Sequence, residues 1–214
     1  MAAPVIPSVY TDDIARQVLK RALDLLIAVL ALTLLSPLML LAALAIRLTS
    51  SGPALFRQRR VGQHERLFTM YKFRTMRQDA NRTGVLQQAT RDDPRVTWIG
   101  RILRRTSFDE VPQFINVLLG EMSVVGPRPH APGTCAGGRP FERVTHRYGA
   151  RHCVKPGMTG LAQVRGWRGE TDTEEKLLHR LDSDLEYIAT WSPLSDLMIV
   201  ARTVGIVLRM RNAY

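Results

Sequence analysis

The chain has few cysteines, and they are not spaced as metal ligands. The two are Cys135 and Cys153, and neither lies in a Cys-x-x-Cys motif or at a histidine spacing that binds zinc. Five histidines are scattered along the 214 residues without a ligand pattern, and no internal repeat is visible. We therefore expect reduced thiols, no zinc site and no repeat architecture.

Aromatic residues are also sparse, at 7% of the chain, although basic residues are abundant. The formal net charge is +11, and such a balance suits nucleic acid, anionic lipid or phosphorylated small molecules as partners. Nucleic-acid-binding sheets interleave basic and aromatic residues, and the sequence does not show that pattern. The composition favours lipid or phosphorylated small molecules, and we expect no nucleic-acid partner.

An apolar run over residues 22–46 is long enough to cross a hydrocarbon core, which takes about 20 residues as a straight helix. The run is longer than the core of a secretory signal, which has about 7–15 residues, and no small-residue cleavage site follows before Arg47. Ser36 and Pro37 interrupt it near the middle. Because proline removes a backbone donor and serine can bond back to a carbonyl, a kink is the minimal expectation.

Basic residues flank the run on both sides, namely Arg16, Lys20, Arg21, Arg47, Arg57, Arg59 and Arg60. The positive-inside bias draws both ends to the cytoplasm. A helix that enters one leaflet, turns at Ser36-Pro37 and returns satisfies this bias, whereas a kinked helix that crosses the membrane remains the alternative. Asp24, inside the run, lies at helical spacing from Lys20 and Arg21 and can pair with them at the interface.

We assign an α+β, mostly helical fold in three parts. Residues 1–15 are expected to form a flexible N-terminus, and residues 16–50 a re-entrant membrane segment built as helix, break and helix. Residues 51–214 form a cytosolic domain with a small β-hairpin or sheet and amphipathic helices at the membrane interface.

Two segments, 54–57 and 67–73, are predicted to be strands, and Gly62-Gln63 is the expected turn of their hairpin. The same patterns assign further segments: a loop over 77–94, helices over 98–105 and 173–191, and a strand over 161–165.

A last helix starts at Ser192-Pro193 and runs to about Met210. Its wide apolar side fits both a helix packed in the core and a helix that lies in the membrane interface. We assign it to the interface.

Two adjacent carboxylates, Asp109 and Glu110, follow Arg104 and precede Arg128, which stands between two prolines. Planar guanidinium groups bind phosphate oxygens, and neighbouring acids can divide the roles of nucleophile and metal ligand. The group therefore suits phosphate chemistry.

The same two acids have a structural explanation. Acids in a first helical turn offset the helix macrodipole. Ser107 with Glu110 would form a capping box for a helix that begins near Asp109 and stops at Gly120. By themselves, the residues favour the cap.

Four motifs follow one another along the chain. They are Lys-Phe-Arg-Thr-Met at 72–76, Arg-Arg-Thr-Ser-Phe-Asp-Glu-Val-Pro-Gln at 104–113, Val-Gly-Pro-Arg-Pro at 125–129 and Lys-Pro-Gly-Met-Thr-Gly-Leu-Ala-Gln at 155–163. In this order they resemble the signatures of the bacterial sugar transferases, the monotopic phosphoglycosyl transferases, and among these the undecaprenyl-phosphate glucose phosphotransferases. The resemblance extends from about Lys20 to Arg209.

The resemblance implies a membrane-associated enzyme that moves a sugar 1-phosphate from a UDP-sugar to a polyprenyl phosphate and releases UMP. Asp109 is then the nucleophile, which forms a phosphosugar-aspartyl intermediate. Glu110 acts with Asp109 in holding Mg²⁺, the expected cofactor, while Arg104 and Arg128 bind phosphate. Residues 51–214 become the catalytic domain, at the cytoplasmic face of the bacterial inner membrane.

Further positions carry over from the family. Pro127 and Pro129 would shape a loop beside the nucleotide, and Lys72 and Asp184 match positions that we assign to substrate binding. The implied partners are the UDP-sugar, polyprenyl phosphate and membrane lipids, and a homodimer is a further expectation.

The two substrates bear on the membrane segment, because a cytosolic nucleotide sugar and a lipid phosphate must reach one face. This favours a helix that turns back at Ser36-Pro37 over one that spans. Residues 165–173 are similar to the version found in members that transfer glucose 1-phosphate to begin exopolysaccharide or capsule repeats. Galactose or an N-acetylated sugar stays open, as does a non-catalytic membrane adaptor for glycan enzymes.

Overall fold

The computed structural model describes residues 14–77, 93–169 and 171–209. Most of the predicted flexible N-terminus and most of the predicted loop over 77–94 lie outside these ranges. Within them, helices predominate and the strands form small two-stranded sheets, which confirms a mostly helical α+β fold.

The first helix, α1 (Ile14–Thr49), runs without interruption through Ser36 and Pro37. The secondary structure is thus helical at both residues, and the predicted turn of the helix at Ser36-Pro37 stays a prediction. Pro37 has no N–H to offer the carbonyl oxygen of Thr33, four residues earlier. The hydroxyl of Ser36 donates to that oxygen instead, at 2.9 Å, so the polar group freed by the proline is satisfied within the helix.

The predicted hairpin is confirmed. Strand β1 (Leu55–Val61), which is longer than expected, pairs antiparallel with β2 (Leu67–Phe73). A 3-10 turn over Gln63–Glu65 connects them. Phe68 and Met70 alternate along β2 and are buried in the main core, as expected for a half-buried strand. Phe73 lies on the other face of the strand and is buried against Ile46 and Leu103.

Helix α2 (Trp98–Arg105) has the predicted bounds, and helix α3 (Gln113–Leu119) ends at Gly120, whose φ of 82° is the left-handed conformation of a helix C-cap. Strand β3 (Ser123–Val125) follows and pairs in parallel with β6 (Gly157–Thr159). The short elements between them are β4 (Cys135–Ala136), β5 (Arg139–Pro140), α4 (Phe141–Val144) and a 3-10 segment (Tyr148–Cys153).

The strand predicted over 161–165 is wrong, because the segment is a helical turn, α5 (Leu161–Val164). Val164 and Arg165 donate their amides back to Gly160 and Leu161. Leu161 and Val164 lie three apart and pack together on the main core, a spacing that a helix places on one face. A short apolar run does not distinguish the two periods.

The last two helices begin where their capping residues predict. Thr173 caps α6 (Glu174–Thr190) by accepting from the Lys176 amide. Ser192 and Ser195 form a reciprocal capping box at the start of α7 (Pro193–Leu208). Helix α7 buries little apolar surface beyond Ile199, and most of its large apolar side chains are exposed: Leu194, Leu197, Met198, Val204 and Leu208.

The core lies between the hairpin, α3, β3, α6 and α7. Both halves of α1 pack on this domain: Asp24 and Ala28 near its start are buried, and Ile46 near its end packs with Phe73 and Leu103. Between them the helix is apolar and mostly exposed, as at Leu30, Leu34, Leu38 and Leu41. Helix α1 is long and apolar enough to cross a membrane, and only 6% of its most apolar stretch is buried.

Candidate active site

Asp109 and Glu110 lie in a tight 3-10 turn, Phe108–Glu110, and α3 begins only at Gln113. The turn opens at Ser107, whose φ of 57° is left-handed. The predicted helix start near Asp109 and the capping box of Ser107 with Glu110 are therefore wrong. The side chain of Ser107 instead accepts a bond from Arg168, at 2.8 Å.

The carboxylate of Glu110 is held by two cations from distant parts of the chain. Lys72, near the end of β2, donates to Oε1 at 3.0 Å. Arg128 approaches with both terminal nitrogens, Nη1 at 3.1 Å from Oε2 and Nη2 against Oε1. Burial tends to raise the pKa of Glu110, but Arg128 and Lys72 outweigh it and hold the pKa well below its usual value. Glu110 is thus permanently charged near neutral pH.

Asp109 has the opposite character. Its side chain is buried, with 9% of the residue exposed, and burial raises its pKa to about 6, aided by the charge of Glu110 and opposed by Lys72. Arg104 and Arg128 oppose the rise more weakly. Two neighbouring carboxyls with shifts of opposite sign are typical of sites in which each acid has its own task.

The environment of Lys72 destabilises the charged form of its side chain. Burial lowers its pKa, and the nearby charge of Arg128 acts in the same direction, while Glu110 and Asp109 oppose the shift. A largely buried group of two acids and two cations has strong mutual interactions, because the local dielectric is low. Such a group is prepared to receive a negatively charged ligand.

Arg128 lies in a loop whose successive carbonyl oxygens all accept hydrogen bonds. The oxygen of Pro127 accepts from the Gly157 amide at 2.9 Å, and that of Arg128 from Arg151 Nη2 at 2.8 Å. The next two, of Pro129 and His130, accept from Arg60 Nη1 at 3.3 Å and from the Val61 amide at 3.0 Å. The predicted shaping of this loop by its prolines is thus supplemented by four donors from three other segments.

Of the other predicted residues, Arg104 lies near Asp109, whereas Asp184 lies farther from the two carboxylates. Arg104 is close enough for its charge to act on Asp109, and its Nε donates to Thr75 Oγ1 at 3.0 Å. Asp184 in α6 lies away from the carboxylates, in a buried ion pair with Arg151, where Oδ2 accepts from Nη2 at 2.7 Å and from Nε at 3.0 Å. Asp184 is therefore linked to the site through Arg151, which bonds the Arg128 carbonyl.

Two residues beside the site were not predicted from the sequence. Arg151 carries no local signal, because its partners, the Arg128 carbonyl and Asp184, are remote in the sequence. Arg168, which bonds Ser107, also lowers the pKa of Glu110 by its charge. It falls within residues 165–173, which the sequence had related only to sugar choice.

The acid pair also bears on metal binding. Among the residues that the structure describes, no three His, Cys, Asp or Glu side chains group as a metal site. Mg²⁺ is usually held by one or two carboxylates together with substrate phosphates. Asp109 and Glu110 provide hard oxygen donors of this kind, so the donor set fits Mg²⁺ if Glu110 exchanges one of its cation partners.

Comparison with known proteins agrees with the motifs. The profile of the family described as "Bacterial sugar transferase" matches residues 15–210. The chain is 50% identical to "UDP-glucose:undecaprenyl-phosphate glucose-1-phosphate transferase" of Escherichia coli K12 over 203 residues, which cover 94% of this chain and 43% of that protein. It is 50% identical over 187 residues to "Exopolysaccharide production protein PSS" of Rhizobium leguminosarum, covering 87% of this chain and 94% of that protein.

A third relative carries a different sugar in its name. "UDP-N-acetylgalactosamine-undecaprenyl-phosphate N-acetylgalactosaminephosphotransferase" of Aeromonas hydrophila is 43% identical over 192 residues, which cover 89% of this chain and 44% of that protein. The chain thus spans less than half the length of the Escherichia coli and Aeromonas proteins. With a family profile matched over residues 15–210, the chain belongs to the bacterial sugar transferases.

Proposed function

We propose that this protein transfers a sugar 1-phosphate from a UDP-sugar to undecaprenyl or a related polyprenyl phosphate, through a covalent intermediate on Asp109. The observation that carries the proposal is the pair Asp109–Glu110: one acid has a pKa near 6, and the other is held ionised by Lys72 and Arg128. The names of relatives at about 50% identity, which specify UDP-glucose and undecaprenyl phosphate, support the substrate classes.

In the first half-reaction, an oxygen of ionised Asp109 attacks the sugar-bearing phosphorus of the UDP-sugar. A P–O bond to the carboxylate forms, the P–O bond to the bridging oxygen breaks, and UMP leaves with the electron pair. Because Asp109 titrates near 6, it is mostly ionised at neutral pH, yet it is more basic than an ordinary aspartate. Burial removes water from the carboxylate and destabilises its free charge. Attack on phosphorus relieves this cost, because it uses that charge to form a bond.

In the second half-reaction, an oxygen of the polyprenyl phosphate attacks the same phosphorus. The acyl phosphate bond breaks, Asp109 is regenerated as a carboxylate, and a polyprenyl diphosphate sugar is released. A single phosphate site then serves the water-soluble donor and the lipid acceptor in turn, so the two never need to be bound together.

The cations supply the charge neutralisation that phosphoryl transfer requires. Arg128 presents a planar fork that matches a carboxylate and a phosphate equally well. It can therefore pass from Glu110 to a phosphate oxygen of the donor, and Lys72 can do the same as a point charge. Arg104, next to Asp109, is a further phosphate ligand in this proposal, while Asp184 contributes through Arg151.

Asp109 and Glu110 would hold Mg²⁺ together with the donor diphosphate. When bound, the metal would supply charge stabilisation for the diphosphate and for the departing UMP. Release of Glu110 from Arg128 as that guanidinium turns to phosphate leaves a carboxylate free for this task. The residues of the chain thus exchange partners in a coordinated way.

The membrane segment supports a site at the lipid boundary, on the cytoplasmic face of the inner membrane. Both halves of α1 pack against the same domain, and its exposed apolar middle lies between them. Helix α7 presents an exposed apolar side that fits an interfacial helix. These features favour an α1 that enters the bilayer and returns. A homodimer remains a prediction.

Glucose is the sugar that we favour. Relatives named for UDP-glucose reach 51% identity, whereas those named for N-acetylgalactosamine and galactosyl transfer are 43% and 39% identical. Transfer of glucose 1-phosphate would open the assembly of an exopolysaccharide or capsule repeat.

The test is a two-stage assay on detergent-solubilised protein with Mg²⁺. UDP-glucose alone should release about one equivalent of UMP as a burst, because the covalent step precedes the acceptor, and polyprenyl phosphate should then restore steady turnover. Asp109→Asn should give neither. A full burst from Asp109→Asn would refute the nucleophile, and the absence of UMP with every UDP-sugar would favour the membrane adaptor.

A further inference from the structure

The Arg128 loop is anchored to the membrane helix by a buried lysine. Strand β3 ends at Val125, directly before Gly126-Pro127-Arg128, and the carbonyl oxygen of Val125 accepts from Lys20 Nζ of α1 at 3.2 Å. It also accepts from Tyr187 of α6 at 3.1 Å. Helix α1 is thus bonded to the residue that leads into the phosphate-binding loop.

Lys20 belongs to a cluster with two acids from opposite ends of the chain. Its Nζ lies 3.3 Å from Asp24 Oδ1 and 2.7 Å from Asp196 Oδ2 of α7. The three residues are 5%, 3% and 5% exposed, in the order Lys20, Asp24, Asp196. The cluster joins helices that are separated by most of the sequence.

The acids of the cluster also bond the structure around β3. Asp24 Oδ1 accepts from the backbone amide of Val124 at 2.9 Å and from the hydroxyl of Ser123 at 3.0 Å. Asp196 accepts from Tyr187 at 2.9 Å and from Trp191 Nε1 at 3.2 Å. Outside its own helix, Asp24 thus bonds β3, the strand that leads into the loop.

Stability alone is a poor explanation of this arrangement. Three charges taken out of water contribute little net stability, and apolar residues of similar volume often do as well. Helix α1 is attached to the domain elsewhere, by Ala28 and Ile46 and by Arg21, which donates to the carbonyl oxygens of Val117 and Leu118 at 2.6 and 3.0 Å. The cluster in addition fixes the position of β3 relative to α1, because Lys20 and Asp24 bond the backbone of that strand.

We propose that Lys20, with Asp24 and Asp196, is a positioning cluster that sets the place of β3 and of the Arg128 guanidinium, so that the seating of the membrane helix controls the phosphate-binding loop. The catalytic consequence rests on the proposed function, whereas the positioning itself does not. Loss of Lys20 frees one side of the Val125 carbonyl, and the loop after it then moves relative to Glu110.

Two disruptive variants of the cluster, one conservative variant and one matched control test this. Lys20→Met removes the donor, and the neutral triple variant Lys20→Met/Asp24→Asn/Asp196→Asn removes it without leaving an unpaired buried charge. Arg21→Met is the control, because Arg21 is the next residue of α1 and bonds α3 and not β3. Lys20→Arg is the conservative variant that retains a cationic donor.

Amide hydrogen exchange of the full chain in lipid nanodiscs provides a readout independent of turnover. Both cluster variants should exchange faster over residues 123–130, and Arg21→Met only over residues 113–121. Lys20→Arg should restore protection over 123–130. In the transfer assay, kcat/KM for UDP-glucose should fall by about ten- to a hundredfold in the cluster variants, because small displacements of a positioning group are costly.

Unchanged exchange over residues 123–130 in the triple variant would overturn the proposal, and so would equal loss of protection there in Arg21→Met. A fall in thermal stability with normal exchange and normal kcat/KM would show a purely structural cluster. Absence of turnover in the wild-type protein would count against the proposed function, while the exchange result would still decide the positioning role.

Discussion

Arg128 meets Glu110 with both of its terminal nitrogens, so that the fork of the guanidinium is filled by one carboxylate. A phosphate presents the same spacing of oxygens, and the fork can be transferred from one to the other. The Glu110 carboxylate thus occupies the position on Arg128 that a phosphate of the substrate would take.

Arg128→Lys should therefore impair the enzyme although it preserves the charge. A lysine offers a point charge and cannot bond two oxygens in parallel, and loss of one charge-assisted hydrogen bond costs about 1.5–3 kcal/mol. We expect kcat/KM for UDP-glucose to fall by about ten- to a hundredfold in steady-state UMP release. Arg139→Lys, in an exposed pair with Glu174, is the control. Equal activity of Arg128→Lys and wild type would exclude the two-point contact.

The rate of the first half-reaction should depend on pH through Asp109. Its pKa is raised to about 6 by burial, so the carboxyl is protonated below that pH and cannot attack. The UMP burst rate should fall about tenfold per pH unit below 6 and level off above it. Measuring the burst without the lipid acceptor avoids titration of the acceptor phosphate. A rate that stays constant from pH 5 to 7.5 would contradict this assignment.

Neutralising the two acids should change stability in opposite directions. The folded-state pKa of Asp109 lies above the ordinary aspartate value of 3.8, so its ionisation opposes folding, with no cost below about pH 4 and the full cost above about pH 6. Asp109→Asn should thus raise the free energy of unfolding at pH 7.5 by on the order of 2 kcal/mol, and less at pH 5.

Glu110→Gln should do the reverse. The pKa of Glu110 is held well below 4.5, chiefly by Arg128 and Lys72 against the effect of burial, so its charge stabilises the fold at neutral pH and this stabilisation is lost as the pH falls. Thermal unfolding of both variants at pH 7.5 measures the difference. Two shifts of the same sign would contradict the opposed environments.

Asp184→Asn should weaken donor binding without touching the acids. It removes the carboxylate that holds Arg151, and Arg151 in turn holds the Arg128 carbonyl. Breaking a buried pair from one side costs about 3–5 kcal/mol, so the melting temperature should fall and the KM for UDP-glucose rise. Asp182→Asn is the control on the same helix, because its exposed pair with Arg147 is worth about 1 kcal/mol or less. Similar KM values for the two variants would rule out the link through Arg151.

The parts of the fold that sequence predicted correctly are those with local causes. Ser192-Pro193 and Gly120 mark helix ends by their own side-chain and backbone preferences, and both were confirmed. The hairpin followed from alternation within β2. Each of these signals is contained within a few neighbouring residues.

The errors arise where a remote partner overrides the local signal. Ser107 and Glu110 have the spacing of a capping box, but Glu110 bonds Lys72, which lies 38 positions away, and Arg128. The predicted pair of Asp24 with Lys20 is confirmed at 3.3 Å, but the pair is buried, and Asp24 also bonds a strand that lies about 100 positions along the chain. Residue types at the site were predictable, whereas the supporting residues Arg151 and Lys20 required the tertiary structure.

The membrane helix itself is open to a direct test. If α1 enters the bilayer and returns, single cysteines at Ile14 and Ser51, on a background with Cys135 and Cys153 replaced by serine, should both react with an impermeant thiol reagent only from the cytoplasmic side. Both positions are exposed, so a lack of labelling has to come from the membrane and not from the fold. Inverted and right-side-out vesicles supply the two sides.

A companion variant asks whether the proline is the cause. In the wild-type protein the Thr33 carbonyl accepts from the hydroxyl of Ser36. In Pro37→Ala the amide of residue 37 can bond this carbonyl again, and a straight helix becomes more favourable. We expect part of the Ser51→Cys population of this variant to be labelled from outside. Transfer activity should also fall, because a helix that spans the membrane cannot keep both of its ends, near Ala28 and near Ile46, packed on the domain. External labelling at either position in the protein that retains Pro37 would establish that α1 spans the membrane. The contact of the active site with the lipid phosphate would then depend on α7 and the exposed face of the domain.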